Sequence, residues 1–235
     1  MIHGLKHIFT KFALRYIGVL VIAFVLASCS STASTPPAQS TPKAPTAAST
    51  PSGTVLYQAD WSKGLEDWHA TSGWKITQNE LVSEMKGDHG ITIPYMVTAS
   101  AYSIEVRLKV VNAMLGGAFV FRVEPTSDKD GYSATIAGIE PPGYKPKFNS
   151  VYPEALVTIR PSDDQQNTSV VTDHIMDNDW HIYRIDVRPG HIVGFYSDGV
   201  RMSVATGNKP IAGGPILIQT TTIQATISSI RIVTL

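Results

Sequence analysis

In Tyr102-Ser103-Ile104-Glu105-Val106-Arg107-Leu108-Lys109-Val110, every even position is apolar and every odd one polar. Successive side chains of an extended chain point to opposite sides, so this stretch is a strand with one dry face and one wet face. The dry face needs a partner. Ala118 to Val123, Tyr132 to Ala137, Ala155 to Arg160, Trp180 to Arg188, Ile192 to Ser197, Pro215 to Thr220 and Thr226 to Thr234 are further β-branched or aromatic runs. Between them stand Gly116-Gly117, Asp130-Gly131, Pro189-Gly190, Asp198-Gly199 and Gly213-Gly214, all with turn chemistry. No window of about a dozen residues carries the 3.6-residue stripe of an amphipathic helix. The expected fold is all-β: a two-sheet antiparallel sandwich, because many short strands must bury their apolar faces against a second sheet.

The N-terminal quarter has a different character. Met1 to Arg15 carries Lys6, Lys11 and Arg15 with no acidic residue, and Tyr16 to Ala27 is nearly all apolar. That run is roughly a dozen residues, short of the roughly 20 a helix needs to span a bilayer, and is expected to be a removable signal. Cys29, the only cysteine, follows Leu26-Ala27-Ser28. A lone thiol implies intermolecular pairing, reactivity or covalent modification. The whole segment resembles a bacterial lipoprotein signal peptide with its lipobox at Leu26 to Cys29.

The resemblance implies a diacylglyceryl group on the Cys29 sulfur, cleavage after Ser28 and acylation of the new terminus; two or three chains make a stable anchor. It further implies an extracytoplasmic, lipid-anchored protein, with Ser30 compatible with outer-membrane delivery in a Gram-negative host. Residues 30–53 are rich in Ser, Thr, Ala and Pro, a composition that buries too little surface to order itself and reads as a semi-rigid stalk. The expected organisation is signal at 1–28, lipidated cysteine and linker at 29–53, and one domain at 54–235.

Charge is balanced, with 19 basic and 19 acidic residues, and no basic stripe is present to neutralise phosphates, which argues against nucleic acid as a partner. The histidines beyond the signal show no paired ligand spacing, so no zinc site is expected. Ser, His and Asp are scattered without the spacing of a nucleophile elbow.

Several segments, taken in order, resemble concanavalin A-like jelly-roll domains. They are Val55 to Trp61 with Leu65 and Trp68, Gly73 to Ile76, Glu80 to Val82, the hairpin Trp180 to Val187 with Phe195 to Gly199, and the closing strands Gly214 to Gln219 and Ile227 to Ile232. Gly117 to Arg122 with Gly131-Tyr132 is similar to laminin-G-like modules and to the family of 3-keto-disaccharide hydrolases. In the hydrolase pattern an acidic residue follows the Gly-Tyr; here Ser133 stands there. The Glu-x-Asp-x-x-Glu strand of laminarinase-type relatives, which would set its carboxylates on one face, is absent too.

The expectation is therefore non-catalytic carbohydrate binding, to a polysaccharide or surface glycan. The alternatives are a 3-keto-glycoside hydrolase and a structural or protein-interaction sandwich with no sugar site. Sugar sites combine an aromatic platform with a few fixed polar groups. Arg122, Tyr132, Tyr144, Tyr152 and Gln219 are the candidate carbohydrate-binding residues, with Tyr144 and Tyr152 on a proline-stiffened segment, Gly138 to Pro153, beside the strand of Tyr132. No cofactor is required. Related jelly rolls often hold a structural calcium, for which Asp128 with Asp130, or Asp173 with Asp177 and Asp179, could offer carboxylates, although neither cluster has the twelve-residue calcium-loop pattern. Arg184, Asp186 and Arg188 are expected to be solvated cross-strand charges.

Overall fold

A computed structural model describes residues 53–123, 131–141, 154–160, 166–168, 170–171, 178–208 and 213–235. Cys29, Tyr144, Tyr152, Asp128, Asp130, Asp173 and Asp177 lie outside the described residues. The first strands are β1 (Val55–Gln58), β2 (His69–Ala70), β3 (Trp74–Thr77), β4 (Glu80–Ser83) and β5 (Asp88–Met96), with a short 3₁₀ turn at Trp61–Lys63. They are followed by β6 (Tyr102–Val123), β7 (Gly131–Ile139), β8 (Glu154–Arg160), β9 (Gln166–Thr168) and β10 (Val170–Val171). The last are β11 (His181–Arg188), β12 (Ile192–Ser197), β13 (Val200–Thr206) and β14 (Pro215–Thr234).

All pairings are antiparallel, and β6 and β14 run side by side through both layers of a sandwich. In one layer the order is β2, β5, the first half of β14, the second half of β6, β7, β8 and β10. In the other, β11, β12, β13 and β9 extend from the first half of β6, while β1 and β4 flank the second half of β14. The Gly116-Gly117 pair, which reads as a turn, is a corner inside one long strand. Residues 114–117 stand opposite Thr222 alone, because Ala113 pairs with Ile223 and Ala118 with Thr221. Gly116 takes φ 79° there, a conformation that a side chain would strain.

The alternation of β6 places Tyr102, Ile104, Val106 and Leu108 in the core, and the same period on β11 turns Tyr183, Ile185 and Val187 toward them. Past the corner, Phe119 and Phe121 supply the facing layer. Phe119 meets Tyr183 edge-on at 4.7 Å, and Phe121 meets Phe195 at 6.3 Å. Each such pair contributes about 0.5–1.5 kcal/mol beyond the burial itself. Asp198-Gly199 closes the β12–β13 hairpin with both residues at positive φ, the two-residue geometry that suits the strand twist. Asp198 also binds β11 through both carboxylate oxygens: Oδ1 accepts from the Ile182 amide at 2.9 Å, and Oδ2 lies 2.6 Å from His181 Nδ1.

Arg184 and Asp186 are not solvated, being 6% and 1% exposed. Gly194 makes this burial feasible: a Cβ there would sit 2.9 Å from the Tyr196 ring, so the ring folds across the bare glycine. The Arg184 guanidinium then stacks on that ring at 4.5 Å, while Arg184 and Arg188 nitrogens each approach an Asp186 oxygen at 3.1 Å. On the neighbouring strands Arg231 pairs with Glu105 through two nitrogens.

Candidate functional site

The layer containing β5, β14, β6, β7 and β8 hides one face in the core and leaves the other half-buried across its width. Register builds this wet face in rows. Thr92, Leu217, Arg122, Ser133 and Thr158 form one row across the five strands; Gly90, Gln219, Val120, Thr135 and Leu156 form the next. Cross-strand partners share a face, so Arg122 and Gln219 are diagonal neighbours, roughly 7–8 Å apart at Cβ by strand geometry. Leu217 leans over Gly90, where an added Cβ would lie 3.3 Å from its Cδ1.

The surface so formed carries a guanidinium fork, a carboxamide that both donates and accepts, and hydroxyls from Thr92, Ser133, Thr135 and Thr158. Small apolar side chains of Val120, Leu217 and Leu156 lie between them. This mixture suits a ligand ringed by hydroxyls.

Two of the five residues expected to bind carbohydrate, Arg122 and Gln219, thus share this face. Tyr132 does not join them. It is 2% exposed and turns into the core, where its hydroxyl and that of Tyr102 form a hydrogen bond at 3.1 Å. Burial raises both phenols, Tyr102 to about 12 and Tyr132 well above the ordinary 10. Its phase explains the difference, since Tyr132 falls in step with Ala134 and Ile136 on the dry side of β7. Ser133, its neighbour, is the residue on the wet face.

A pair of carboxylates suited to glycoside hydrolysis stands about 5–10 Å apart. On this face, among the described residues, Asp88 and Glu154 lie on β5 and β8, four strand intervals apart, or about 19 Å at the usual strand spacing. Asp179 is exposed, and no group of three or more potential metal ligands converges among the described residues.

No family model matches the sequence and no curated protein matches it. Solved structures do match. The carbohydrate-binding module CBM66 from Bacillus subtilis aligns with a TM-score of 0.52 at 14% identity, over 72% of this chain and 96% of that one. A Bacillus subtilis protein of unknown function with a galectin-like fold aligns at 0.57 and 10% identity, over 77% and 96%. The fold is that of the lectin-like β-sandwiches. The lumenal domain of VIP36, solved with Ca²⁺ and Man3GlcNAc, aligns at 0.54 and 12% identity, over 73% and 84%. Identities this low carry the fold and leave the ligand to the residues of this chain.

Proposed function

We propose that the domain binds carbohydrate without cleaving it, and that it is held at an extracytoplasmic membrane surface by lipid on Cys29. The observation that carries the binding reading is the half-buried row structure around Arg122 and Gln219, with four hydroxyls alongside, on a lectin-like sandwich. Similarity of fold to a carbohydrate-binding module and to the VIP36 domain supports it. The lipid anchor rests on the sequence around Cys29 alone.

The test is a glycan array probed with the full-length protein, followed by a product assay on every hit. Arg122→Ala combined with Gln219→Ala is expected to abolish retention while the thermal midpoint stays within a few degrees, and no product is expected. Unchanged retention in that variant would remove the assignment of this face, and product release would replace binding with catalysis.

A further inference from the structure

The chain has four tryptophans, and three are already engaged. Trp61 is buried and its Nε1 donates to the Ser228 carbonyl at 3.0 Å; Trp74 is buried; and Trp180 lies beneath the side chains of Arg107 at 4.5 Å and Lys109 at 5.0 Å. Trp68 is different. It packs against the Trp61 ring at 5.4 Å and also lines a cleft of about 260 Å³ bounded by β1, the turn after it and Pro94 of β5.

The aromatic wall and the turn of this cleft are held by contacts within the protein. Tyr57 is braced by the Tyr95 ring at 5.4 Å. Asp60 Oδ1 accepts from the Ser62 amide at 3.1 Å and from its hydroxyl at 2.6 Å, and its other oxygen faces Lys63 at 3.8 Å. Main-chain bonds from Lys63 to Asp60, Gly64 to Trp61 and Trp68 to Leu65 hold the turn. Gly64 takes φ 76°, which a side chain would oppose. Pre-ordered walls reduce the entropy lost on binding.

We propose that this cleft is a second ligand site, separate from the Arg122 face, which takes one neutral sugar ring or the end of a glycan chain. Trp68 and Tyr57 provide apolar surface for the flat side of a ring. Gln58, Asp60, Asp67 and Lys63 supply acceptors and donors for its hydroxyls. The Tyr57 phenol, protonated at neutral pH like any tyrosine, can donate a hydrogen bond. Size sets the ligand's scale: the cleft falls below the roughly 300–1,000 Å³ of sites that enclose drug-sized molecules. Charge sets its class, because two carboxylates against one ammonium repel an anionic sugar. A bare cation fits less well, since Lys63 already faces Asp60.

The experiment follows tryptophan fluorescence and calorimetry of the full-length protein, purified in a detergent free of sugar. The probes are methyl glycosides of glucose, galactose, mannose, fructose and N-acetylglucosamine, with glucuronate as the charged control. At least one neutral glycoside is expected to give a saturable spectral change and glucuronate none. Asp67→Ala and Gln58→Ala, both at exposed positions, should each weaken binding about tenfold, the factor of one lost hydrogen bond, with unchanged thermal midpoints. Arg122→Ala should leave this affinity alone. The proposal is overturned if no neutral glycoside saturates up to about 20 mM, well past half-occupancy of a millimolar site. It is equally overturned if Asp67→Ala and Gln58→Ala each bind as the parent does, if glucuronate binds as well as the neutral sugars, or if Arg122→Ala abolishes binding and so moves the ligand to the sheet face.

Discussion

Removing the Tyr132 hydroxyl gives the sharpest test of where that residue belongs. Tyr132 and Tyr102 are 2% and 1% exposed, and their hydroxyls bond to each other at 3.1 Å. Tyr132→Phe loses a bond worth about 1 kcal/mol net and leaves the Tyr102 hydroxyl without this partner in the core, a penalty of about 1–3 kcal/mol. A total of about 2–4 kcal/mol is expected, equivalent to a fall of roughly 4–16 °C in Tm for a domain of this size. Tyr102→Phe should cost about as much. The double variant should cost clearly less than the sum, with a coupling of at least about 1 kcal/mol, because no orphaned hydroxyl remains. Urea denaturation read by fluorescence measures all four proteins, and the slope with denaturant should not change.

The pH dependence has a definite sign. Both phenols are raised by burial, so their contribution is complete below about 10, the unfolded value, and is lost as pH rises from there through about 12 and beyond. The phenylalanine variants should flatten that alkaline fall. Two single losses below about 0.5 kcal/mol, or strictly additive ones, would show that the hydroxyls do not satisfy each other and that the core placement of Tyr132 is wrong.

Three further outcomes are expected. Gly117→Ala should cost about 1–3 kcal/mol in a denaturation experiment, because its Cβ would lie 2.4 Å from Cγ2 of Ile223, a branched side chain with no room to withdraw; a neutral result would mean that the corner is looser than described. Carboxylate NMR of Asp60 should give a midpoint below the usual 3.8, held down first by the Ser62 hydroxyl and then by its amide. Ser62→Ala should raise that midpoint; since a depressed acid stabilises above its unfolded value and loses that effect as pH falls through the folded one, a midpoint at or above 3.8 refutes the cap. Cys29→Ala should release the processed protein from the membrane fraction while glycan binding persists, and continued membrane association after signal cleavage would exclude the lipid anchor.

Alternation marks the dry positions of β6 and β7, but not every odd position of β6 is wet, since Ser103 and Glu105 are buried beside Arg184 and Asp186; that Arg122 and Gln219 share a face follows from the register of β6 against β14. The same alternation counts Tyr132 with Ala134 and Ile136, so its ring belongs to the core and not to the wet face. The corner in β6 was not legible, because a Gly-Gly pair looks identical whether the chain reverses or bends between layers. Arg184 and Asp186 misled for another reason. Charges at alternating positions ordinarily mark solvent, whereas here the ring of Tyr196 covers the Arg184 guanidinium and Asp186 is held between Arg184 and Arg188. The Trp68 cleft was hidden because Pro94 reaches it from β5 while its other walls come from residues 57 to 68.

The passage of β6 and β14 through both layers bears on how the protein comes apart. In a sandwich whose layers share no strand, side-chain packing alone resists separation, and one layer can open while the other persists. Here a single ladder, broken in register only at three irregularities, runs from Ile216 opposite Val123 to Thr234 opposite Tyr102. Hydrogen exchange should therefore report one shared opening free energy for core amides in both halves of these strands, as expected of a single cooperative unit. The wall behind Arg122 and the layer beneath Arg184 would then be lost together, so ligand gained at one edge would protect amides at the other.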